Sequence, residues 1–301
     1  MAVILVTGSE GLVGSGLRPL LRRRGHQVRC FDVRAHGHQR GDTWRLSEVQ
    51  RAVQDVDGVV HLAAVSRVVW GERDPAACWA TNVDGTNNVI EACLSQARPP
   101  WVLFASSREV YGQADELPVA EHAPLRPVNI YGRSKVAGED LVLAARARGL
   151  RTAVVRLANV YGSPDDHADR VVPAFARAAA RGSELRVDGP DHTFDFTHID
   201  DVAEGLGRLV GRLEGGASDL PPIHLLPGRP TTLGELARLA IEVAGSGSCI
   251  RMAPPRSYDV SQFYGDPSLA SSVLGGWRAA VSLRDGLSRL VHAFRKMEVA
   301  S

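Results

Sequence analysis

The sequence predicts an α/β fold in which a doubly wound parallel sheet is followed by a smaller, mixed α/β C-terminal domain. In the first half of the 301 residues, short apolar runs alternate with helical patterns. Such alternation is typical of parallel strands joined by helices that cover both faces of the sheet. After about residue 163 the alternation loosens, and Gly, Ser and Pro are frequent in residues 245–280. We therefore divide the chain into residues 1–165, joined by a returning segment near 193–226, and residues 166–301.

Local patterns justify the elements of the first part in chain order. The strands are predicted from apolar, β-branched runs bounded by small or polar residues, at residues 2–6, 27–31, 58–62, 101–106 and 151–157. The helices lie between them, ending near 24, starting at 47, and spanning 75–97 and 129–148. Gly25 and Gly149 each follow a predicted helix, as expected for residues that end helices.

The second part has weaker signals. We predict strands at 194–198 and 223–226, and helices at 171–181, 200–212 and 283–296. Thr232 and Glu235 have the spacing of a capping box, which places the start of a further helix that runs to residue 244. We expect this part to cover the mouth of the first part.

The composition excludes several classes of protein. With 44% hydrophobic and 23% charged residues the chain is typical of globular domains, and its net charge of +1 gives no reason to expect nucleic acid or an anionic membrane as a partner. No apolar run is long enough for a signal peptide or a membrane span. The four cysteines have neither metal-site nor disulfide spacing. We therefore expect a cytoplasmic protein without a metal.

Three glycines follow the first predicted strand. Gly8, Gly11 and Gly14 lead into a helix, whose free N–H groups and positive dipole end suit a pyrophosphate. Glycine lets the backbone approach the phosphates closely. The motif alone is weak and would also suit a tight structural turn, but the strand before it and Asp32 at the end of the next strand favour a dinucleotide site.

Acidic residues near this site bear on the choice of cofactor. Asp32 is expected to accept hydrogen bonds from both adenosine ribose hydroxyls and to repel a ribose phosphate, which favours NAD over NADP. Arg34 weakens the choice, because it is able to pair with such a phosphate. Asp42 is placed to bind the adenine amine, or is an exposed turn residue. His61 lies either beside the cofactor or in the core.

With these residues, the chain resembles the extended short-chain dehydrogenase/reductase family, which includes the nucleotide-sugar epimerases and dehydratases. The matching motifs follow one another through the first two-thirds of the chain: Thr7-Gly8-x-x-Gly11-x-x-Gly14, Asp32, His61-Leu62-Ala63-Ala64, Asn82-Val83-x-Gly85-Thr86, Ser106-Ser107-x-Glu109-Val110-Tyr111-Gly112, Tyr131-x-x-x-Lys135, Asn159-Val160-Tyr161-Gly162 and His198-Ile199-Asp200-Asp201-Val202. The set is specific for the family and much less specific for the reaction.

The resemblance implies a Rossmann-type domain that binds NAD, a C-terminal domain that holds a nucleotide-diphosphate sugar, and a catalytic triad of Ser107, Tyr131 and Lys135. Tyr131 and Lys135 lie one helical turn apart, and the ammonium, together with the charge of the bound nicotinamide, is expected to lower the phenol pKa from about 10. The expected cofactor contacts are Gly8, Gly11, Leu12, Val13, Gly14, Asp32, Asp42, Leu62, Ala63, Ala64, Asn82, Ala105, Tyr131 and Lys135.

Arg108 and Glu109, the two residues that follow Ser107, bear on the choice of reaction. In an extended segment Ser107, Glu109 and Tyr111 point to the same side, and a carboxylate at Glu109 resembles the dehydratases and decarboxylases of the family. The 4,6-dehydratases, however, have an acid where this chain has Arg108, and a guanidinium cannot replace it as general acid. Arg108 either holds a substrate carboxylate, forms a salt bridge or points to solvent.

The residues that the resemblance assigns to the substrate also depart from the family pattern. The family usually has a phosphate-binding arginine where this chain has Phe194. Arg256 matches a second phosphate-binding arginine, and Asn159 is expected to contact the diphosphate. The expected substrate contacts are Ser66, Ser107, Arg108, Asn159 and Arg256.

These observations favour an NAD-dependent nucleotide-sugar epimerase that acts at C4 of a hexose or uronic acid through a transient keto-sugar. A dehydratase or decarboxylase with Glu109 as C5 base, an NADPH-dependent keto-sugar reductase and a non-catalytic dinucleotide sensor remain alternatives. By resemblance we expect a homodimer formed by the helices at 75–97 and 129–148.

Overall fold

A computed structural model of the chain describes residues 1–255 and 260–299. Its main feature is a six-stranded parallel sheet with the strand order β10-β5-β4-β3-β1-β2. The strands are β1 Val3–Thr7, β2 Gln27–Phe31, β3 Gly58–His61, β4 Trp101–Ser107, β5 Thr152–Leu157 and β10 Ile223–Leu225. Residues 4–6, 59–60 and 102–104 are buried on both sides of the sheet, as expected for parallel strands covered by helices.

Helices cover both faces of this sheet. They are α1 Leu12–Arg23, α2 Leu46–Ala52, α3 Val68–Arg73, α4 Pro75–Trp79, α5 Gly85–Leu94, α6 Ile130–Ala144 and α8 Ile199–Glu214. On one face, residues of α1 and α8 pack against Ile4 and Leu103. On the other face, residues of α2, α5 and α6 pack against Leu5 and Val102. Alternate residues of each strand therefore enter opposite layers of the core.

Most of the remaining elements form a second apolar cluster beside the carboxyl ends of the strands, whereas α10 (Ser268–Val273) packs in the first core layer. The helices are α7 Val171–Ala180, α9 Leu233–Ala244 and α11 Leu283–Val299; the short strands are β6 Asn159–Tyr161, β7 Leu185–Asp188, β8 Thr193–Phe194, β9 Phe196–His198, β11 Thr231–Thr232, β12 Ile250–Ala253 and β13 Gln262–Phe263. Phe175 of α7, Leu236 of α9 and Leu290 of α11 meet in this cluster.

The chain returns to the main sheet late in the sequence. β10 pairs in parallel with β5, and α8 packs beside α1 in the first core layer. The division into residues 1–165 and 166–301 stays a prediction. None of the helices in the described ranges is both long enough and apolar enough to cross a membrane.

Three differences from the predicted elements concern local geometry. The predicted helix at 75–97 contains a π-helical turn, Ala80–Asp84, and ends at Leu94. The predicted strand at 194–198 is interrupted at Asp195, whose carboxylate accepts hydrogen bonds from the backbone N–H groups of Gly228 and Arg229 at 3.0 and 3.3 Å. The segment after Ser107 is a 3₁₀ turn, Arg108–Val110, and not an extended strand.

Candidate active site

A cavity of about 720 Å³ lies at the carboxyl ends of the parallel strands, between the main sheet and the second apolar cluster. Open α/β sheets bind their ligands at this edge, and the volume is in the range of small-molecule sites. The glycine loop after β1, the ends of β2 to β4, the first turns of α6 and the segment before α7 contribute to its wall. The cavity therefore joins residues that are far apart in the sequence.

In the glycine loop, residues 8–14, the first and last glycines leave no room for a side chain. Gly8 has φ +68°, and a Cβ atom on it would lie 2.6 Å from the backbone nitrogen of Ala63. A Cβ atom on Gly14 would overlap the carbonyl oxygen of Gly8. Gly11 caps α1 without a side-chain hydrogen bond, so the first N–H groups of the helix remain free for a ligand. The loop is therefore shaped to bring backbone close to an anion.

The carboxylate of Asp32 lies in the same wall, and its orientation is fixed by two backbone donors. Oδ2 accepts from the N–H of Glu10 at 2.9 Å, and Oδ1 accepts from the N–H of Arg34 at 2.8 Å. The side-chain Nε of Arg34 lies 3.6 Å from Oδ1. Asp42 also lines the cavity, and its Oδ1 accepts from the N–H of Trp44 at 3.0 Å.

Most predicted cofactor contacts line the cavity, including Leu12, Val13, Leu62, Ala63, Ala64 and Ala105. Asn82 does not. Its amide is fully used by neighbours: Oδ1 accepts from the N–H of Val65 at 2.8 Å, and Nδ2 donates to the carbonyl of Val65 and to Ser134 Oγ. Asn82 therefore holds the loop that forms the wall, and its contact with the cofactor stays a prediction.

His61 belongs to the core and not to the cavity wall. Its Nδ1 lies 2.7 Å from Thr7 Oγ1, and its Nε2 lies 3.0 Å from Thr86 Oγ1. Burial, and secondarily the charge of Lys135, lowers the pKa of His61 to about 3. A neutral imidazole therefore bridges β1 and α5 beneath the glycine loop.

Ser107, Tyr131 and Lys135 meet in the cavity, although they come from two elements. Ser107 ends β4, Tyr131 lies in the first turn of α6, and Lys135 lies one turn later; all three are buried. Ser107 lies close enough to the Tyr131 hydroxyl to lower the pKa of that phenol. Lys135 Nζ donates to the carbonyl of Ala105 at 2.8 Å and lies 5.9 Å from the centre of the Tyr131 ring. A hydroxyl placed here would meet both Ser107 and Tyr131.

The residues of the chain alone do not lower the Tyr131 pKa, and the effect of the nicotinamide charge stays a prediction. Burial raises the pKa of Tyr131 to about 12. Smaller contributions come from Ser107 and Arg170, which lower this pKa, and from Glu109, which raises it. Burial also lowers the pKa of Lys135 to about 8. Removing the phenolate from water therefore costs more than the neighbouring groups return.

Arg108 and Glu109 both line the cavity. The 3₁₀ turn places the two side chains together, and Arg108 Nη2 lies 2.8 Å from Glu109 Oε1. The other carboxylate oxygen, Oε2, accepts from Asn129 Nδ2 at 2.7 Å. Asn129 in turn caps α6 by accepting from the N–H of Gly132. Glu109 is therefore held by one charged and one neutral donor.

Tyr111 does not share the direction of Ser107 and Glu109. Its hydroxyl lies 2.6 Å from His224 Nε2 and accepts from Arg156 Nη1 at 2.6 Å, in a buried network behind β4. The alternation that predicted a common side was wrong, because it assumed an extended backbone where the chain forms a 3₁₀ turn.

All but one of the predicted substrate contacts line the cavity. Ser66 and Asn159 line the cavity, as does Phe194. Asn159 Nδ2 donates to the carbonyl of Asp195 at 3.3 Å. Arg256 lies outside the described residues.

Sequence reasoning missed a charged part of the wall between β6 and α7. Arg67 Nη1 and Nη2 donate to the two carboxylate oxygens of Asp169 at 2.6 and 2.8 Å. Trp70 packs edge-on against His167 with their ring centres 4.7 Å apart. A cluster of charged residues at 165–170, directly after the Asn159-Val160-Tyr161-Gly162 motif, was the available signal.

Comparison with known proteins agrees with this geometry. Residues 4–219 match the model of the NAD dependent epimerase/dehydratase family. The UDP-glucose 4-epimerase of Mycolicibacterium smegmatis is 30% identical over 97% of this chain and 98% of its own length. UDP-glucuronic acid decarboxylase 1 of Xenopus tropicalis is 30% identical over 97% of this chain and 72% of its own length.

A solved structure described as MoeE5 in complex with UDP-glucuronic acid and NAD superimposes with a TM-score of 0.87, at 30% identity, over 98% of this chain and 99% of that chain. The doubly wound sheet and the Rossmann-type fold predicted from the sequence are thereby confirmed. From the match of the family model and from these relatives, the chain belongs to the NAD-dependent epimerase/dehydratase family.

Proposed function

We propose that the protein is an NAD-dependent UDP-sugar 4-epimerase that oxidises the sugar at C4 to a transient ketone. The cofactor is that of the family, and the relatives named above support uridine diphosphate as the carrier of the sugar. The choice of reaction rests on the side chains around Ser107 and Tyr131.

The residues present are suited to NAD. The pyrophosphate would lie against the glycine loop, where any Cβ atom on Gly8 or Gly14 would collide with backbone. Asp32 would accept from the ribose hydroxyls with the lone pairs that Glu10 and Arg34 leave free. Because Arg34 is drawn towards Asp32 and the carboxylate would repel a phosphate, the geometry disfavours the NADPH-dependent reductase.

The chemistry of the chain's own residues is proton transfer. We assign Tyr131 as the base that takes the C4 hydroxyl proton, and Ser107 as the donor that holds that hydroxyl in place. When bound, the nicotinamide would accept hydride from C4, return it to either face of the ring and bring a positive charge next to the phenol. Lys135 would hold the cofactor ribose and stabilise the phenolate. The raised pKa of Tyr131 makes that added positive charge important.

One observation favours epimerisation over elimination or decarboxylation. Both oxygens of Glu109 are engaged, Oε1 by Arg108 and Oε2 by Asn129. A base that removes the C5 proton needs an oxygen aimed at that carbon, and Glu109 would have to break one of these contacts first. The decarboxylase among the relatives keeps the alternative open for testing.

The test is NMR of the purified protein with NAD and UDP-glucose, UDP-galactose or UDP-glucuronic acid in D₂O. We expect interconversion of C4 epimers without deuterium at C5, because the C5–H bond stays intact. Glu109→Gln should still form the C4 epimer. Deuterium at C5, a 4-keto-6-deoxy product or release of CO₂ would instead support Glu109 as a C5 base. Homodimerisation through α4 to α6 stays a prediction.

A further inference from the structure

The turn after β4 holds a guanidinium that the catalytic triad does not use. Arg108 directly follows Ser107, lines the cavity, and has a side chain that is only 12% exposed. Its Cζ lies 4.7 Å from the ring centre of Phe194 and 5.7 Å from that of Phe263. Aromatic faces attract a guanidinium and restrict its motion. The charge is therefore fixed between the main sheet and the second apolar cluster.

The hydrogen bonds of Arg108 are incomplete. Nη2 is paired with Glu109 Oε1, whereas Nη1 is shielded from water and has no partner among the described residues. A buried donor without an acceptor is unfavourable, and more so when it is charged. A small turn of the guanidinium towards the cavity would let an oxygen of a bound ligand satisfy Nη1.

Several other cations of the cavity wall are engaged by groups of the protein. Arg67 makes two hydrogen bonds to Asp169, and Lys135 donates to a carbonyl group. Arg170 Nε lies 3.4 Å from Asp166 Oδ1. Arg170 Nε, like Arg108 Nη1, is buried without a hydrogen bond within the described ranges. Arg108 differs from these cations in its position directly after Ser107, beside the proposed reacting hydroxyl.

We propose that Arg108 binds an anionic oxygen of the substrate, and that this oxygen belongs to a carboxylate on C5 of the sugar, so that the enzyme selects a uronic acid over a neutral hexose. This inference rests on the proposed function, which places the C4 hydroxyl at Ser107 and Tyr131. C5 is bonded to C4, so its substituent lies near the residue after Ser107, whereas the diphosphate is attached to C1 across the ring.

Glu109 sharpens the inference because it carries the opposite charge. In the proposed complex Arg108 would attract the sugar carboxylate, and Glu109 would repel it. Removing the two charges one at a time should therefore change the affinity for a uronic acid in opposite directions. A residue that only supports the fold would not give such a signature.

The test is titration calorimetry of the NAD-loaded enzyme with UDP-glucuronic acid, UDP-glucose and UDP. Arg108→Gln keeps a donor for Glu109 and removes the charge. We expect its Kd for UDP-glucuronic acid to rise about tenfold or more, since charged hydrogen bonds are strong, with changes below about twofold for the other two ligands. Glu109→Gln should lower the Kd for UDP-glucuronic acid alone.

Arg126→Gln is the matched control, because Arg126 is 62% exposed, pairs with Asp115 and lies outside the cavity wall. Thermal melting and bound NAD report whether each variant folds. Equal losses for all three ligands would move the anion to the diphosphate and overturn the carboxylate assignment. Unchanged affinities in Arg108→Gln would overturn the proposal entirely. Because binding needs no turnover, a negative epimerase assay with selective binding would refute only the proposed reaction.

Discussion

The environment of Tyr131 determines what the triad needs in order to react. Burial raises the pKa of this phenol to about 12 and lowers that of Lys135 to about 8. Both shifts disfavour the charged forms, so the tyrosinate–ammonium pair is costly in this site. The arrangement therefore becomes reactive when a further positive charge lies close to the phenol.

Replacing Tyr131 by Phe should reduce kcat by a factor of about 10² to 10⁴, the usual contribution of a general base. The Kd for UDP-sugars should change little, because the ring that shapes the cavity remains. Stopped-flow formation of NADH from bound substrate measures the hydride step directly. A variant that forms NADH at the wild-type rate would show that another residue takes the proton.

Sequence spacing predicted these residues well, and their surroundings poorly. The separation of Tyr131 and Lys135 by one helical turn, and the position of Ser107 at a strand end, were sufficient to predict that the three side chains lie close together. A salt bridge was among the alternatives for Arg108, but Glu109 was not foreseen as its partner, because the pair depends on a 3₁₀ turn that strand alternation does not reveal. The role of Asn82 depends on its contact with the backbone of Val65, which no local pattern encodes.

At the scale of elements, a buried ion pair joins α6 to β5, and a hydrogen bond to the same carboxylate joins α6 to β4. Arg156 Nη2 donates to Glu139 Oε2 at 2.6 Å, and the two side chains are 5% and 1% exposed. Ser106 donates to the same carboxylate. Because Ser106 precedes Ser107, and Glu139 lies one turn after Lys135, these contacts fix the distance between β4 and α6, the two elements that carry the proposed triad.

Arg156→Met should destabilise the protein by about 3–5 kcal/mol, since it leaves the buried Glu139 charge without its partner. The double variant Arg156→Met/Glu139→Leu should recover much of that loss, because it removes both charges. Urea unfolding measures the free energy of each variant. Equal losses in the single and double variants would mean that packing, and not the charge, explains the effect.

The strands differ in how well they can be predicted from the sequence. Strand positions in the main sheet followed from apolar runs because both faces are buried. The interruption at Asp195 was missed, because its partners at Gly228 and Arg229 are distant in the sequence. The two-residue strands β8, β11 and β13 likewise exist only through their pairing.

For the whole molecule, buried histidines make stability depend on pH. Burial, more than the charge of a neighbouring cation, lowers the pKa of both His61 and His224 to about 3. An unfolded histidine titrates near 6.5, so between about pH 6.5 and 3 the unfolded chain binds more protons. Stability should therefore fall as the pH falls through this window.

His61→Asn should flatten that dependence by up to about 1.4 kcal/mol per pH unit at the acidic end, where the unfolded histidine is fully protonated. Its absolute stability also falls, because the bonds to Thr7 and Thr86 change. The measurement is the free energy of unfolding in urea from pH 4.5 to 7.5. The exposed His38 provides the control, since His38→Asn should keep the wild-type slope. An identical slope for both variants would contradict the argument.

The late return of the chain to the main sheet has a consequence for biosynthesis. β5 pairs with β4 on one side, but its other edge is unpaired until Ile223–Leu225 is made, and the layer beside α1 stays uncovered until α8 is made. At about 5–20 residues per second, a ribosome needs several seconds between completing β5 and completing β10. During that interval an unpaired strand edge and an apolar face are exposed. The nascent chain is therefore most prone to aggregation before β10 completes the sheet.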